Sequence, residues 1–126
     1  MTLAVIDSSA VIAWLRREPG GEAAAEYFDA GIISAVNVAE VVTILSEEMS
    51  IEDCAATIEE IGLEIIPFDR DAALAAGALR PATRRLGLSL GDRACLALAR
   101  TLGVPALTAD RAWLALDLGV EVRSIR

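Results

Sequence analysis

Four carboxylates, Asp7, Glu40, Asp92 and Asp110, carry most of the chemistry this sequence can offer. The chain has no histidine, and all 11 of its basic side chains are arginine. The first absence excludes a Ser-His-Asp triad, a histidine general base and a histidine-ligated zinc site. The second excludes a P-loop lysine, a Schiff base and the lysine of a response-regulator receiver site. Carboxylates, hydroxyls, arginines and bound metal remain. Clustered carboxylates repel, and without compensation at least one stays protonated near neutral pH. A divalent cation resolves that conflict, and hard oxygen ligands select magnesium, with manganese as a substitute, over zinc or copper. One or two such ions generate hydroxide, orient a scissile phosphate and stabilise the leaving oxygen. Four carboxylates without histidine therefore suit phosphodiester hydrolysis better than acyl transfer.

The elements around these acids must bring them together. Residues 3–6 form a short apolar run that ends at Asp7 and predicts a buried strand. Ser8 or Ser9 caps a following helix that carries Val11, Ile12, Trp14 and Leu15. Pro19-Gly20-Gly21 is a turn, residues 22–28 a second helix stopped near Gly31, and residues 32–34 a second strand. Asn37 begins a helix with Val38, Val41, Val42 and Leu45 on one face. Ser50 to Asp53 resembles a capping box, and Gly62 closes the helix it opens. Residues 64–67 are a third strand ended by Pro67, and residues 71–86 are helical with a break at Pro81. The helix over 89–102 is the clearest, from Ser89 as cap to Gly103 as stop. A fourth strand over 104–108, a short helix over 111–116 and a last strand over 120–124 complete the chain. Strands alternating with helices predict an α/β sandwich around a mostly parallel sheet of four to five strands.

In open α/β sheets, ligands bind outside the carboxyl ends of the strands. Asp7 directly follows the first strand and Asp110 the fourth, while Glu40 and Asp92 fall in the first turns of their helices. All four thus belong to one edge of the sheet. Each also has an ordinary explanation. Asn37 to Glu40 and Ser89 to Asp92 fit capping patterns, Asp110 can cap the short helix after it, and Asp7 can be a turn residue.

At 126 residues the chain is expected to form one domain, residues 1–126. Its 55% hydrophobic content is high and suits a buried parallel sheet or an apolar face kept for a partner. No apolar run approaches the ~20 residues of a membrane helix, and the opening residues lack the pattern of a signal peptide, so a cytoplasmic protein is expected. Cys54 and Cys95 read as buried thiols, and Trp14 and Trp113 as core residues. The net charge of −8 argues against a nonspecific nucleic-acid coat protein. It is compatible with an enzyme whose acids are neutralised by metal and whose arginines are gathered locally.

Four local sequences resemble the motifs of PIN-domain ribonucleases. They are Val5-Ile6-Asp7-Ser8-Ser9-Ala10, the stretch from Ser34 to Val41 around Glu40, the stretch from Leu88 to Ala99 around Asp92, and Leu107 to Trp113 around Asp110. Their order and spacing are similar to the VapC-type toxins of VapBC toxin–antitoxin modules across essentially the whole chain. The resemblance implies a PIN-like three-layer α/β/α fold and magnesium-dependent cleavage of RNA. It also implies a cognate VapB-type antitoxin, and the leucine- and alanine-rich helices offer a face for that partner or for a homodimer. The resemblance makes Asp7 and Asp92 the most direct metal ligands, with Glu40 completing the shell or positioning water and Asp110 acting through water or a second ion. Ser8 and Thr108 resemble hydroxyls that orient those carboxylates. Arg93 and Arg111, adjoining the acids, are candidate RNA contacts, and Arg80, Arg84 and Arg85 lie just before the third motif. The alternatives are a housekeeping RNA-processing PIN nuclease and a catalytically silent PIN domain that only binds RNA or protein. A haloacid-dehalogenase-like phosphatase would need a second aspartate where Ser9 stands, and a lysine.

Overall fold

Each apolar run singled out above becomes a strand of one sheet. The computed structural model describes residues 3–126. Its strands are β1 (Val5–Ile6), β2 (Ile32–Ser34), β3 (Glu64–Ile66), β4 (Ala106–Thr108) and β5 (Val122–Ser124). They pair in the order β3-β2-β1-β4-β5, and every pairing is parallel. The helices are α1 (Ser8–Leu15), α2 (Gly21–Ala25), α3 (Ala35–Leu45), α4 (Ile51–Ile61), α5 (Arg70–Ala78), α6 (Arg80–Thr83) and α7 (Leu90–Leu102). Among the described residues no helix is long and apolar enough to cross a membrane.

Side chains of adjacent strand residues point to opposite faces, so a sheet covered on both sides needs apolar residues without interruption. Ile6, Ile33 and Leu107 pack on one face with Val11 of α1, Val41 of α3 and Cys54 of α4. Val5, Ile32 and Ala106 pack on the other with Ala76 of α5, Leu96 of α7 and Trp113. The result is the expected α/β/α sandwich. Both cysteines are buried free thiols.

Several boundaries differ from the sequence reading, each for a local reason. Ser34, not Asn37, caps α3 by accepting from the Val36 N–H, so strand hands over to helix with no loop between them. The helix expected over 71–86 divides into α5, α6 and a 3₁₀ turn at Arg84–Leu86. Pro81 sits in the first turn of α6, where its missing N–H costs nothing. The second helix is shorter than expected and is followed by a 3₁₀ turn at Phe28–Ala30, and the helix after β4 is a 3₁₀ turn at Arg111–Ala115. Trp14 is corrected too: it lies edge-to-face on Phe28 with ring centroids 5.6 Å apart, yet 40% of it is exposed. Trp113 is fully buried, as expected.

Candidate metal centre

Asp7 is the hub. It leaves β1 in extended conformation and stands at the cap position of α1, where its carbonyl accepts from the Ala10 N–H at 3.0 Å. Its own N–H donates to the Leu107 carbonyl of β4 at 2.8 Å. The side chain is only 2% exposed. Ser9 Oγ donates to Asp7 Oδ2 at 2.5 Å and Thr108 Oγ1 donates to the same oxygen at 3.1 Å. Burial nevertheless raises the carboxyl from 3.8 to about 7, and the neighbouring Asp92 and Glu40 charges push the same way against the two hydroxyl donors.

Asn37 joins Asp7 to the other acids. Fully buried on α3, its Nδ2 donates to Glu40 Oε1 at 2.9 Å and to the Gly91 carbonyl at 3.1 Å, and reaches Asp7 Oδ1 at 3.4 Å. An amide has two N–H bonds for these three acceptors, and Asn37 Oδ1 is buried without a partner among the described residues. Because the cap is Ser34, half-buried Glu40 falls in the second turn of α3 rather than the first. Ser8 Oγ donates to its Oε1 at 2.8 Å. The Glu40 carboxylate lies directly over Gly91 at the start of α7, where any Cβ would overlap it.

Asp92 and Asp110 perform the capping work that the sequence allowed them. Asp92 Oδ2 accepts from the Ser89 N–H at 2.9 Å while Ser89 Oγ accepts from the Asp92 N–H at 3.2 Å, a complete capping box. Asp110 Oδ1 accepts from the Ala112 N–H at 3.0 Å, and the Asp110 N–H donates to Thr108 Oγ1 at 3.0 Å. Thr108 therefore bridges exposed Asp110 to buried Asp7. In their present rotamers, no three acidic, histidine or cysteine side chains among the described residues form a cage for an ion. Asp7, Glu40 and Asp92 share one electrostatic field. Asp110 stands outside that trio and reaches it through Thr108.

The two arginines next to the acids in sequence each bond a backbone carbonyl. Arg93 Nη1 donates to the Ala76 carbonyl at 3.1 Å, and Arg111 Nη1 donates to the Arg126 carbonyl at 2.8 Å.

A sequence model described as the PIN domain matches residues 4–118, a span holding all four acids. The chain belongs to the PIN-domain family. Solved structures agree on the fold. A toxin–antitoxin complex from Klebsiella pneumoniae is 22% identical, with 98% of each chain covered and a TM-score of 0.76. DNA-bound VapBC from Salmonella typhimurium is 17% identical, with 100% of each chain covered and a TM-score of 0.75. VapBC-5 from Mycobacterium tuberculosis is 26% identical over 100% of this chain and 99% of that one, with a TM-score of 0.63. No curated protein gives a significant match.

The donor set of this PIN domain fits a hard divalent cation. Every candidate ligand is a carboxylate oxygen, and Glu40 Oε2, Asp92 Oδ1 and Asp110 Oδ2 have no hydrogen-bond partner among the described residues. The unpartnered Asn37 Oδ1 adds a buried polar atom of the same hard type beside them. Ser9, Asn37 and Gly91 are the site residues that sequence reasoning missed. Asn37 had one usable signal, since it lies three residues before Glu40 and therefore on the same helix face. Ser9 had only its closeness to Asp7 in the chain.

Proposed function

We propose that this PIN domain is a magnesium-dependent endoribonuclease, active also with manganese, that serves as the toxin of a toxin–antitoxin module. The observation that carries the reading is Asp7, a buried carboxylate at the carboxyl end of the central strand, sharing its field with Glu40 and Asp92. Asp7, Asp92 and Glu40 would hold the metal, with Asp110 acting through water or a second ion. When bound, the ion supplies a lowered-pKa water as nucleophile and a counter-charge for the scissile phosphate. The chain's own residues do the positioning. Ser9 and Thr108 fix Asp7 Oδ2, and Ser8 and Asn37 fix Glu40 Oε1, so each carboxylate keeps its other oxygen pointing from a held side chain. Burial on the sheet excludes water behind Asp7 and strengthens every charge interaction in front of it.

The solved neighbours include toxin–antitoxin complexes, which supports a cognate VapB-type antitoxin as the partner. We read the protein as a single cytoplasmic domain that assembles as a homodimer. The test is induced expression with and without the neighbouring antitoxin gene, followed by mapping of RNA ends. Growth arrest with new RNA ends, relieved by the antitoxin gene, is expected. The purified protein should cleave RNA with magnesium and not in EDTA, and Asp7→Asn or Asp92→Asn should abolish cleavage while leaving the fold intact. Undiminished cleavage by either variant, or in EDTA, would overturn the mechanism.

A further inference from the structure

The 11 arginines are the only basic side chains in a protein with 19 carboxylates. Four of them stand in ion pairs: Arg16 with Glu48, Arg70 with Asp71, Arg123 with Glu121 and Arg126 with Glu18. Arg93 and Arg111 are bound to backbone carbonyls. Of the rest, which lack any such partner among the described residues, Arg80, Arg84 and Arg85 crowd into six residues of chain and are all exposed. No acid occurs anywhere in residues 72–91, the longest stretch of the sequence without one. A solvated, salt-bridged surface would intersperse the two signs; this segment separates them.

The backbone beneath these cations is held. Leu79, Thr83 and Leu88 are buried. Thr83 Oγ1 donates to the Leu79 carbonyl at 2.8 Å, and the Gly87 N–H closes the 3₁₀ turn on the Arg84 carbonyl at 3.0 Å. Gly87 takes a φ of +64°, which turns the chain toward Ser89. Arg85 precedes Ser89 by four residues, so full extension limits their separation to about 14 Å. Ser89 is the residue whose N–H holds Asp92.

We propose that the Arg80–Gly87 segment is a phosphate-binding arch that grips the backbone of single-stranded RNA beside the acidic centre. The proposal rests on the nuclease reading for its choice of RNA. A guanidinium fork matches phosphate oxygens, and a protein with a net charge of −8 must confine its attraction for RNA to a local patch. The arch supplies that patch in the segment leading to Ser89, whose N–H holds Asp92. Its role is uniform backbone binding, without base preference.

The experiment is equilibrium binding of a labelled, mixed-sequence single-stranded RNA in EDTA, with salt varied from low to physiological. Wild type is compared with the triple variant Arg80→Gln/Arg84→Gln/Arg85→Gln. Losing three phosphate contacts should weaken binding about tenfold or more at low salt and reduce the slope of log K against log salt by about 2. Arg17→Gln/Arg100→Gln, which also removes two exposed arginines with no ion-pair partner among the described residues, should leave both quantities unchanged. Replacement of the three arch residues by lysine should restore most of the slope. Equal slopes for wild type and triple variant, or no RNA binding by wild type at low salt, overturn the arch. So does a triple variant that keeps its RNA slope but loses the antitoxin, because the surface then belongs to a protein partner. Arch-dependent binding without cleavage in magnesium supports the arch and refutes the nuclease reading. Cleavage with an unchanged KM in the triple variant does the reverse.

Discussion

Gly91 and Glu40 occupy adjoining space with nothing to spare: a Cβ on residue 91 would lie 2.2 Å from Glu40 Oε2 and 2.3 Å from its Cδ and Oε1. Gly91→Ala must therefore displace the carboxylate. The displaced group is the end of a flexible side chain, and alanine gains up to about 1 kcal/mol of helix propensity over glycine, so thermal stability should change little. A misplacement on the order of 1 Å at a catalytic group costs about 100-fold in rate, and RNA cleavage should fall by that order. Melting curves beside cleavage assays read the two effects separately; an active Gly91→Ala protein would show that Glu40 needs no fixed position.

Asn37 ties α3, α7 and β1 together through one amide. Asn37→Ala leaves the Gly91 carbonyl without its side-chain donor and removes a donor from Glu40, a loss of about 2 kcal/mol by the cost of unsatisfied buried groups. Asn37→Asp instead brings a third carboxyl beside Asp7 and Glu40. Denaturant titration should find Asn37→Asp the less stable variant at pH 8, with the difference narrowing toward pH 5.

Asp7 gives the protein a pH dependence of unusual sign for an aspartate. Its carboxyl is raised from 3.8 to about 7, so the folded state keeps a proton that the unfolded chain releases. The stability linked to this group is fully present below pH 4 and is lost as pH rises to 7. At about 1.4 kcal/mol per pH unit, the loss between pH 5 and 7 is about 3 kcal/mol. In EDTA, Asp7→Asn should gain on wild type by that order between pH 5 and 8, measured by thermal melting at each pH. Magnesium should close the gap at pH 8 by stabilising wild type alone, and parallel curves for the two proteins would refute the shift.

For Asp110 the capping and catalytic roles can be separated. Asparagine caps helices about as well as aspartate, so Asp110→Asn should melt within about 0.5 kcal/mol of wild type, whereas Asp110→Ala should lose about 1 kcal/mol with the cap. Both should cleave RNA more than about tenfold slower if the charge at this position acts on the metal. Wild-type rates for Asp110→Asn would leave the residue with its cap alone.

The sheet was legible because its strands are short apolar runs bounded by glycine, proline or a lone acid, and burial on both faces demands that composition. The acids stood out as candidates because Asp7 and Asp110 follow strands and Asp92 opens a helix, whereas Glu40 lies one turn deeper in α3. The partners were not. Asn37 reaches Asp7 across 30 residues and Gly91 across 54, and Thr108 reaches Asp7 across 101. No local pattern encodes such pairings; the parallel strand order creates them. The same holds for Asn37 itself, whose resemblance to a helix cap concealed its place inside α3 once Ser34 took the cap. Asp92 and Asp110 each cap with one oxygen and leave the other without a partner among the described residues, so capping is compatible with the ligand role proposed for them. For the arginines beside the acids, closeness in sequence to Asp92 and Asp110 does not say which backbone carbonyl a long side chain will find.

The Asp7 N–H is bonded to the Leu107 carbonyl inside the central pair of strands, whereas Asp110 caps a short 3₁₀ turn at the surface. Amide deuterium exchange at Asp7 therefore requires the sheet to separate, which is nearly the whole cost of unfolding. The turn after Asp110 is anchored as well, because it carries the fully buried Trp113 into the core on the other face of the sheet. Both acids thus rest on elements that come apart only when the core does.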